Sequence, residues 1–307
     1  MIKVFIDGGA GTTGLKIVER MQAREDVTLI TLDEEHRKDP ASRKEAIHAA
    51  DAVFLCLPDD AAKEAAQLAE GAKAVVIDAS TAHRTAEGWA YGFPELSPSH
   101  RAAIQNSKRI ANPGCYASGF ISLVYPLIAR GIAAKDYPFV SHAVSGYTGA
   151  GKKGIAEYEA EERDRALDSP RLYALGLRHK HLPEMQKVCA LSHPPVFTPY
   201  ICDFPCGMTV HVPLYRAMLQ KKLTAGEMEE MFREHYAGCR FVKVAKEESG
   251  FLAANTLEGA NLLQVFVNGN DEQLLLSARL DNLGKGASGA AVQNMNIALG
   301  LDEGTSL

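Results

Sequence analysis

Four apolar runs recur through the first eighty residues, "IKVFID", "VTLITLD", "DAVFLCLP" and "KAVVIDAS", and helical patterns such as "TTGLKIVERMQAR" and "DAAKEAAQLAEGA" lie between them. Short runs rich in Val and Ile, spaced by helical segments, indicate buried parallel strands in successive strand–helix–strand units. The first third of the chain is therefore expected to be α/β, a Rossmann-like doubly wound parallel sheet.

After about Tyr116 the pattern changes. "FVSHAVSGY", "MTVHVPLY", "LLQVFVNG" and "QLLLSARLDN" are longer and partly alternating, and they mix with helices such as "TAGEMEEMFREHYAG". A second, mainly antiparallel α+β domain is expected there. "GKGASGAAVQNMNIALGL" reads as a small-residue turn and a closing helix, and "AEYEAEERDRALD" as a solvated helix face. A chain of 307 residues suits about two domains, placed at 1–115 and 116–282, with a C-terminal helix at 283–307.

Composition narrows the partners. A net charge of -5 and a pI near 6.1 leave no basic excess for nucleic acid or an anionic membrane surface. No stretch approaches the roughly 18 apolar residues of a membrane span, and the start lacks the pattern of a signal peptide. Cysteines 56, 115, 189, 202, 206 and 239 are scattered, so no disulfide framework is expected and a reducing cytoplasm fits best.

The first strand-to-helix turn is "DGGAGTTG". Gly9, Gly11 and Gly14 satisfy G-x-G-x-x-G, Gly8, Gly11 and Gly14 satisfy a wider spacing, and Thr12 and Thr13 open the helix. Glycines in this position let a pyrophosphate approach the backbone while the helix N-terminus supplies unpaired N–H groups. Asp33, at the end of the second strand, suits the ribose hydroxyl of NAD, yet His36, Arg37 and Lys38 follow at once and suit a 2′-phosphate. The residues leave NAD and NADP both open.

"IANPGCYASG" places Cys115 between a Pro-Gly turn and an apolar helix. Free N–H groups and the helix dipole there lower a thiol pKa and hold an oxyanion, which makes Cys115 a candidate nucleophile. A thiol nucleophile needs a base, and "LRHKHLPEM" offers His179 and His181, followed by Glu184. On an extended segment the two rings share one face, as two metal ligands also would. No metal is expected, because Cys202 and Cys206 lack C-x-x-C spacing. "SGYTGAGKKG", with Gly149 and Lys152, and Arg84 at the end of the fourth strand are candidates to receive an anionic substrate, together with Asn112.

Taken in order, "DGGAGTTG", "NPGCYAS", "SGYTGAGKKG", "HKHLPEM" and "DNLGKGASGAAVQNMN" resemble N-acetyl-gamma-glutamyl-phosphate reductase in its shorter form, nearly end to end. The resemblance implies a fold similar to aspartate-semialdehyde and glyceraldehyde-phosphate dehydrogenases. It also implies NADP-dependent reduction of N-acetyl-L-glutamyl phosphate in arginine biosynthesis, and a homodimer or homotetramer. Cys115 would be the nucleophile and His181 the acid–base, with His179 the second candidate. Arg84 would bind substrate, and Glu184 would orient it or the histidine. Asn282, Gly286 and Ser288 would reach the nicotinamide, so that the last helix returns to the nucleotide-binding domain. The rival readings are another acyl-phosphate reductase, such as aspartate-semialdehyde dehydrogenase, and a nucleotide-binding redox sensor.

Overall fold

The apolar runs of the first eighty residues become parallel strands in the computed structural model, which describes residues 1–246 and 250–307. The chain divides into two units, Met1–Gly114 with Ala287–Leu307, and Cys115–Gly286. In chain order the first unit begins β1 (Ile2–Asp7), α1 (Thr12–Gln22), β2 (Val27–Ile30), α2 (Pro40–Ala49), β3 (Ala52–Leu55) and α3 (Asp59–Leu68). It continues through β4 (Val75–Asp78), β5 (Ala90–Tyr91), α4 (Pro98–Asn106) and β6 (Arg109–Ala111).

These strands pair in parallel in the order β2-β1-β3-β4-β6-β5. Successive side chains of a strand point to opposite faces, and the core divides accordingly. Val4, Phe54 and Ile77 pack with Ile17 and Met21 of α1, whereas Phe5, Val53, Leu55 and Val76 pack with Ile47 of α2 and Ala65 of α3. Helices on both faces explain why the strands read as unbroken apolar runs. The order runs from β1 to β2 on one side and to β3 on the other, which makes the ends of β1 and β3 the switch point where open sheets bind ligands.

The second unit comprises α5 (Cys115–Ala129), β7 (Val140–Gly146), α6 (Gly151–Tyr158), β8 (Arg171–Leu172), α7 (Leu182–Val188) and β9 (Val196–Cys202). After these come β10 (Met208–Tyr215), α8 (Ala225–His235), β11 (Val242–Val244), β12 (Leu263–Gly269) and β13 (Gln273–Leu280). The sheet order is β11-β12-β13-β10-β7-β9-β8; β7–β9 and β11–β12 are parallel and the other pairs antiparallel. Along β10, Met208, Val210, Val212 and Leu214 are buried, while Pro213 and Tyr215 are exposed on the other face. α5 lies against β10 and β13, so close that a Cβ on Gly119 would stand 2.5 Å from Cγ2 of Val210. An alanine there overpacks the interface, at about 1–3 kcal/mol.

The acidic run expected to be one helix face departs from that expectation, because α6 stops at Tyr158. Arg163 turns the chain back: it donates to the Tyr158 carbonyl at 2.9 Å and pairs with Asp203 at 2.6 Å and Asp168 at 2.7 Å. These partners are brought near by the fold, which overrides local helical preference.

The final helix, α9 (Gly289–Ala298), belongs to the first unit, where it packs against β4, α1 and α4. Its face carries buried polar residues, each with a partner. Gln293 donates to Glu95 at 2.9 Å, Asn294 to the Gly92 carbonyl at 2.9 Å, and Asn296 accepts from Arg24 at 2.8 Å.

Candidate active site

The glycine-rich loop leaves β1 at Asp7 and crosses the end of β3. Gly8 has φ +84°, and a Cβ on it would stand 2.4 Å from the carbonyl oxygen of Cys56, just beyond β3. A Cβ on Gly14 would meet the Gly8 carbonyl oxygen at 2.7 Å and Gly9 Cα at 2.8 Å. Those two glycines are required by backbone contact, whereas Gly9 and Gly11 have ordinary room and leave the backbone bare. α1 follows at Thr12 with Gly11 as a cap that offers no side-chain acceptor. The Thr12 hydroxyl is buried without a hydrogen-bond partner, and Thr13 follows it in the first helical turn. Open N–H groups, a positive helix end and a hydroxyl lacking a partner fit the pyrophosphate of a dinucleotide.

Beneath the loop, Asp7 and Arg43 form a buried ion pair at 2.9 Å. Burial raises the Asp7 carboxyl above its ordinary 3.8 even though Arg43 opposes the shift. Asp33 lies beyond β2, exposed, and its carboxylate accepts from the His36 backbone N–H at 2.8 Å and meets the His36 ring at 2.7 Å. Those contacts hold it below the usual carboxylate value, the backbone bond contributing most. Arg37 lines a groove of about 270 Å³ beside Gly9, Ala10 and Thr31.

Cys115 is the first residue of α5, partly exposed between neighbours that are buried on both sides. Burial shuts down other thiols instead: Cys56 is pushed up to about 12, and Cys189 and Cys202 are raised by the same cause. The next residue, Tyr116, is buried beneath an aromatic cluster. Its ring lies 5.6 Å from that of His179, 6.0 Å from His181 and 5.3 Å from Phe197. Burial raises both Tyr116 and Tyr173 well above the tyrosine range, and the nearby Cys115 pushes them the same way. Both stay protonated.

His179 and His181 are neighbours, with ring centroids 4.7 Å apart and planes at 84°. The segment is not extended as expected. A bond from Leu182 N–H to the His179 carbonyl at 3.0 Å closes a turn, and His181 is the residue preceding α7. The His181 backbone N–H donates to Nδ1 of His179 at 3.1 Å, and Nε2 of His179 meets the Tyr173 hydroxyl at 3.2 Å. Nδ1 of His179 is thus an acceptor, which fixes the proton of the neutral ring on Nε2. Glu184, 1% exposed, lies in the first turn of α7. Among the described residues no group of three or more His, Cys, Asp or Glu side chains is assembled to hold a metal.

Other expected ligands have different surroundings. Asn112 is 1% exposed; its Nδ2 donates to the Ala287 carbonyl at 3.0 Å and its Oδ1 accepts from Asn294 at 3.1 Å. It ties α9 to the end of β6. Asn282, expected at the nicotinamide, accepts from Gly207 N–H at 2.8 Å and donates to Thr148 at 2.9 Å, which makes it a clamp between two loops. Gly286, also expected at the cofactor, is a spacer, because a Cβ there would stand 2.8 Å from Cβ of Cys115. Ser288 is buried at the start of α9. Gly149 has Ser145 and Asn282 beside it, and Lys152 is exposed on α6. Arg84 donates through Nε to the Asn112 carbonyl at 2.9 Å and through Nη2 to the Ala79 carbonyl at 3.1 Å, in the loop after β4. Sequence reasoning missed Tyr116 and Tyr173. The only signal for them was the aromatic residue directly after Cys115 and another six before His179.

Family comparison agrees with this architecture. Two family models match, "Semialdehyde dehydrogenase, NAD binding domain" over residues 33–104 and "Semialdehyde dehydrogenase, dimerisation domain" over residues 115–282, so the class is that of the semialdehyde dehydrogenases. The aspartate semialdehyde dehydrogenase II of Vibrio cholerae, solved with ASA, has a similar fold, with TM-score 0.73 at 18% identity over 97% of this chain and 98% of that one. The aspartate semialdehyde dehydrogenase of Candida albicans, solved with NADP, gives a TM-score of 0.69 at 14% identity, covering 98% of each chain. Among curated relatives, N-acetyl-gamma-glutamyl-phosphate reductase 2 of Nostoc sp. is 45% identical over 98% of each chain, and the protein of that name from Pseudomonas putida is 46% identical over 97% of this chain and 96% of its own. The chain belongs to the N-acetyl-gamma-glutamyl-phosphate reductase family.

Proposed function

We propose that the chain reduces N-acetyl-L-glutamyl 5-phosphate to N-acetyl-L-glutamate 5-semialdehyde with release of phosphate, as the names of its curated relatives indicate. The observation that carries this reading is Cys115, accessible at the head of a buried helix beside the histidine and tyrosine cluster. The thiolate attacks the acyl carbonyl, the C–O bond to phosphate breaks, and a thioester remains on Cys115. Phosphate is a good leaving group, so that step needs positioning more than acid catalysis. The helix N-terminus of α5 stabilises the thiolate and the oxyanion. Bound NADPH supplies the hydride that takes the acyl group to the aldehyde level. His181 takes the thiol proton and returns one as the C–S bond breaks, while His179, fixed by Tyr173 and the His181 backbone, orients the turn. Arg84 holds the phosphate and Glu184 orients His181.

The cofactor reading is NADP. Asp33 is turned into its own loop by His36, and Arg37 lines the groove next to Gly9, where a 2′-phosphate is received. A homodimer or homotetramer forms through the second unit, whose sheet leaves Tyr215 and Met218 more than half exposed beside a groove of about 660 Å³. No helix among the described residues is long and apolar enough to cross a membrane, and partly exposed cysteines suit a reducing cytoplasm.

The test runs the reaction backwards. The protein is mixed with the semialdehyde, phosphate and either NADP or NAD, and reduced nicotinamide is followed by absorbance. Phosphate-dependent reduction, lost in Cys115→Ser, is the expected result. Full turnover in Cys115→Ser overturns the thioester, and a higher kcat/KM on aspartate semialdehyde overturns the substrate.

A further inference from the structure

The loop after β4 contains a second histidine–carboxylate pair that the mechanism above does not use. Asp78, fully buried at the end of β4, accepts from Ser80 N–H at 2.8 Å and from the Ser80 hydroxyl at 2.7 Å, and it meets Nδ1 of His83 at 2.6 Å. With the Asp78 carboxyl oxygen as acceptor, Nδ1 of His83 is the donor of that bond. The His83 ring stacks on Trp89, with centroids 4.0 Å apart and planes 13° from parallel, and Arg109 lies over the Trp89 ring at 5.8 Å. The hydroxyl of Ser80 also accepts from Ala82 N–H at 3.1 Å. Both ends of the turn between Asp78 and His83 are therefore fixed by the same buried carboxylate.

The residue that follows is Arg84, which donates to the main-chain carbonyls of Ala79 and Asn112. Its guanidinium is held on one side by the backbone of this turn, at Ala79, and on the other by the backbone just past β6, at Asn112. We propose that His83 is a positioning residue: the Asp78–His83–Trp89 clasp sets the Arg84 guanidinium and thereby the affinity of the site for inorganic phosphate. This rests on the reading of Arg84 as the phosphate ligand. A buried carboxylate that loses one of three donors has an unmet acceptor, and the turn rearranges to satisfy it. The loss then falls on the anion site next to it in the chain. Nucleotide binding, which lies on the loop after β1, is spared.

The experiment is steady-state turnover of the semialdehyde, NADP and varied inorganic phosphate by the wild type and by Arg84→Gln, His83→Ala, His83→Asn and His83→Gln. Asparagine places an N–H close to where Nδ1 of histidine sits, whereas glutamine places it near Nε2. Arg84→Gln and His83→Ala are expected to raise KM for phosphate about tenfold or more, as loss or misplacement of a charged ligand should. KM for NADP is expected to stay within about twofold of wild type. His83→Asn restores most of the phosphate affinity and His83→Gln does not. Trp89 is the single tryptophan of the chain, so its emission reports the stack directly and changes in His83→Ala. An unchanged phosphate KM in His83→Ala, equal values for His83→Asn and His83→Gln, or unchanged emission overturns the clasp. Should His83→Ala fail to fold, the Asn and Gln pair decides alone. An unchanged phosphate KM in Arg84→Gln overturns the anion-site reading and the clasp with it. A raised KM in Arg84→Gln with none in His83→Ala overturns the clasp only.

Discussion

The backbone N–H of His181 donates to Nδ1 of His179 at 3.1 Å, so one member of the pair holds the other in place. A proton on Nδ1 of His179 would break that bond, which supports the proposed assignment of His181 as the acid–base ring. His181→Asn should lower kcat/KM about 100-fold, the scale of a positioned acid–base group. It should also flatten the limb of the pH profile that the acid–base group contributes. His179→Asn should cost less and keep that limb. Profiles of both variants check this, and a lost limb in His179→Asn reverses the assignment.

Gly286 leaves the space that Cβ of Cys115 occupies, with the Asp281 carbonyl 2.9 Å away on another side. Gly286→Ala must move Cys115 or the turn, at about 1–3 kcal/mol for the overpacking alone. The expected outcome is slower alkylation by iodoacetamide and a lower kcat, with KM for NADP little changed. Alkylation at the wild-type rate would show that the turn yields and the thiol does not.

The Thr12 hydroxyl, buried and lacking a partner, gives a prediction of opposite sign for stability and binding. Thr12→Val removes a group that has nothing to lose in the unliganded protein, so Tm should hold or rise. Nucleotide affinity should fall by about one hydrogen bond, on the order of 1 kcal/mol or fivefold in Kd. Calorimetric titration with NADP and thermal melts read both quantities.

Arg43 is the counter-ion of buried Asp7. Arg43→Met leaves that carboxylate alone and should cost about 3–5 kcal/mol near neutral pH. Folded Asp7 keeps its proton above the ordinary 3.8, so between 3.8 and its folded value the native state binds more protons. Its contribution therefore declines as pH rises through that window. Without Arg43 the window widens upward. The stability deficit of Arg43→Met should shrink as pH falls toward 4, and urea melts at several pH values measure it. A deficit independent of pH would assign the loss to packing.

The sequence by itself determined what depends on neighbours along the chain. Val and Ile runs of strand length, split by helical periods, specify a parallel sheet, since alternate residues must face opposite layers, as Val4 and Phe5 do. The positive φ at Gly8 and the start of α5 at Cys115, after a Pro-Gly turn and ahead of an apolar helix, are likewise local. Tertiary structure alone decided the contacts of Asn112, Asn282 and Gly286. Their partners Ala287 and Asn294, Gly207 and Thr148, and Cys115 are tens to hundreds of residues away in the chain. A buried amide must satisfy its donors and acceptors with whatever the fold brings within about 3 Å, and no local pattern records which residue that is.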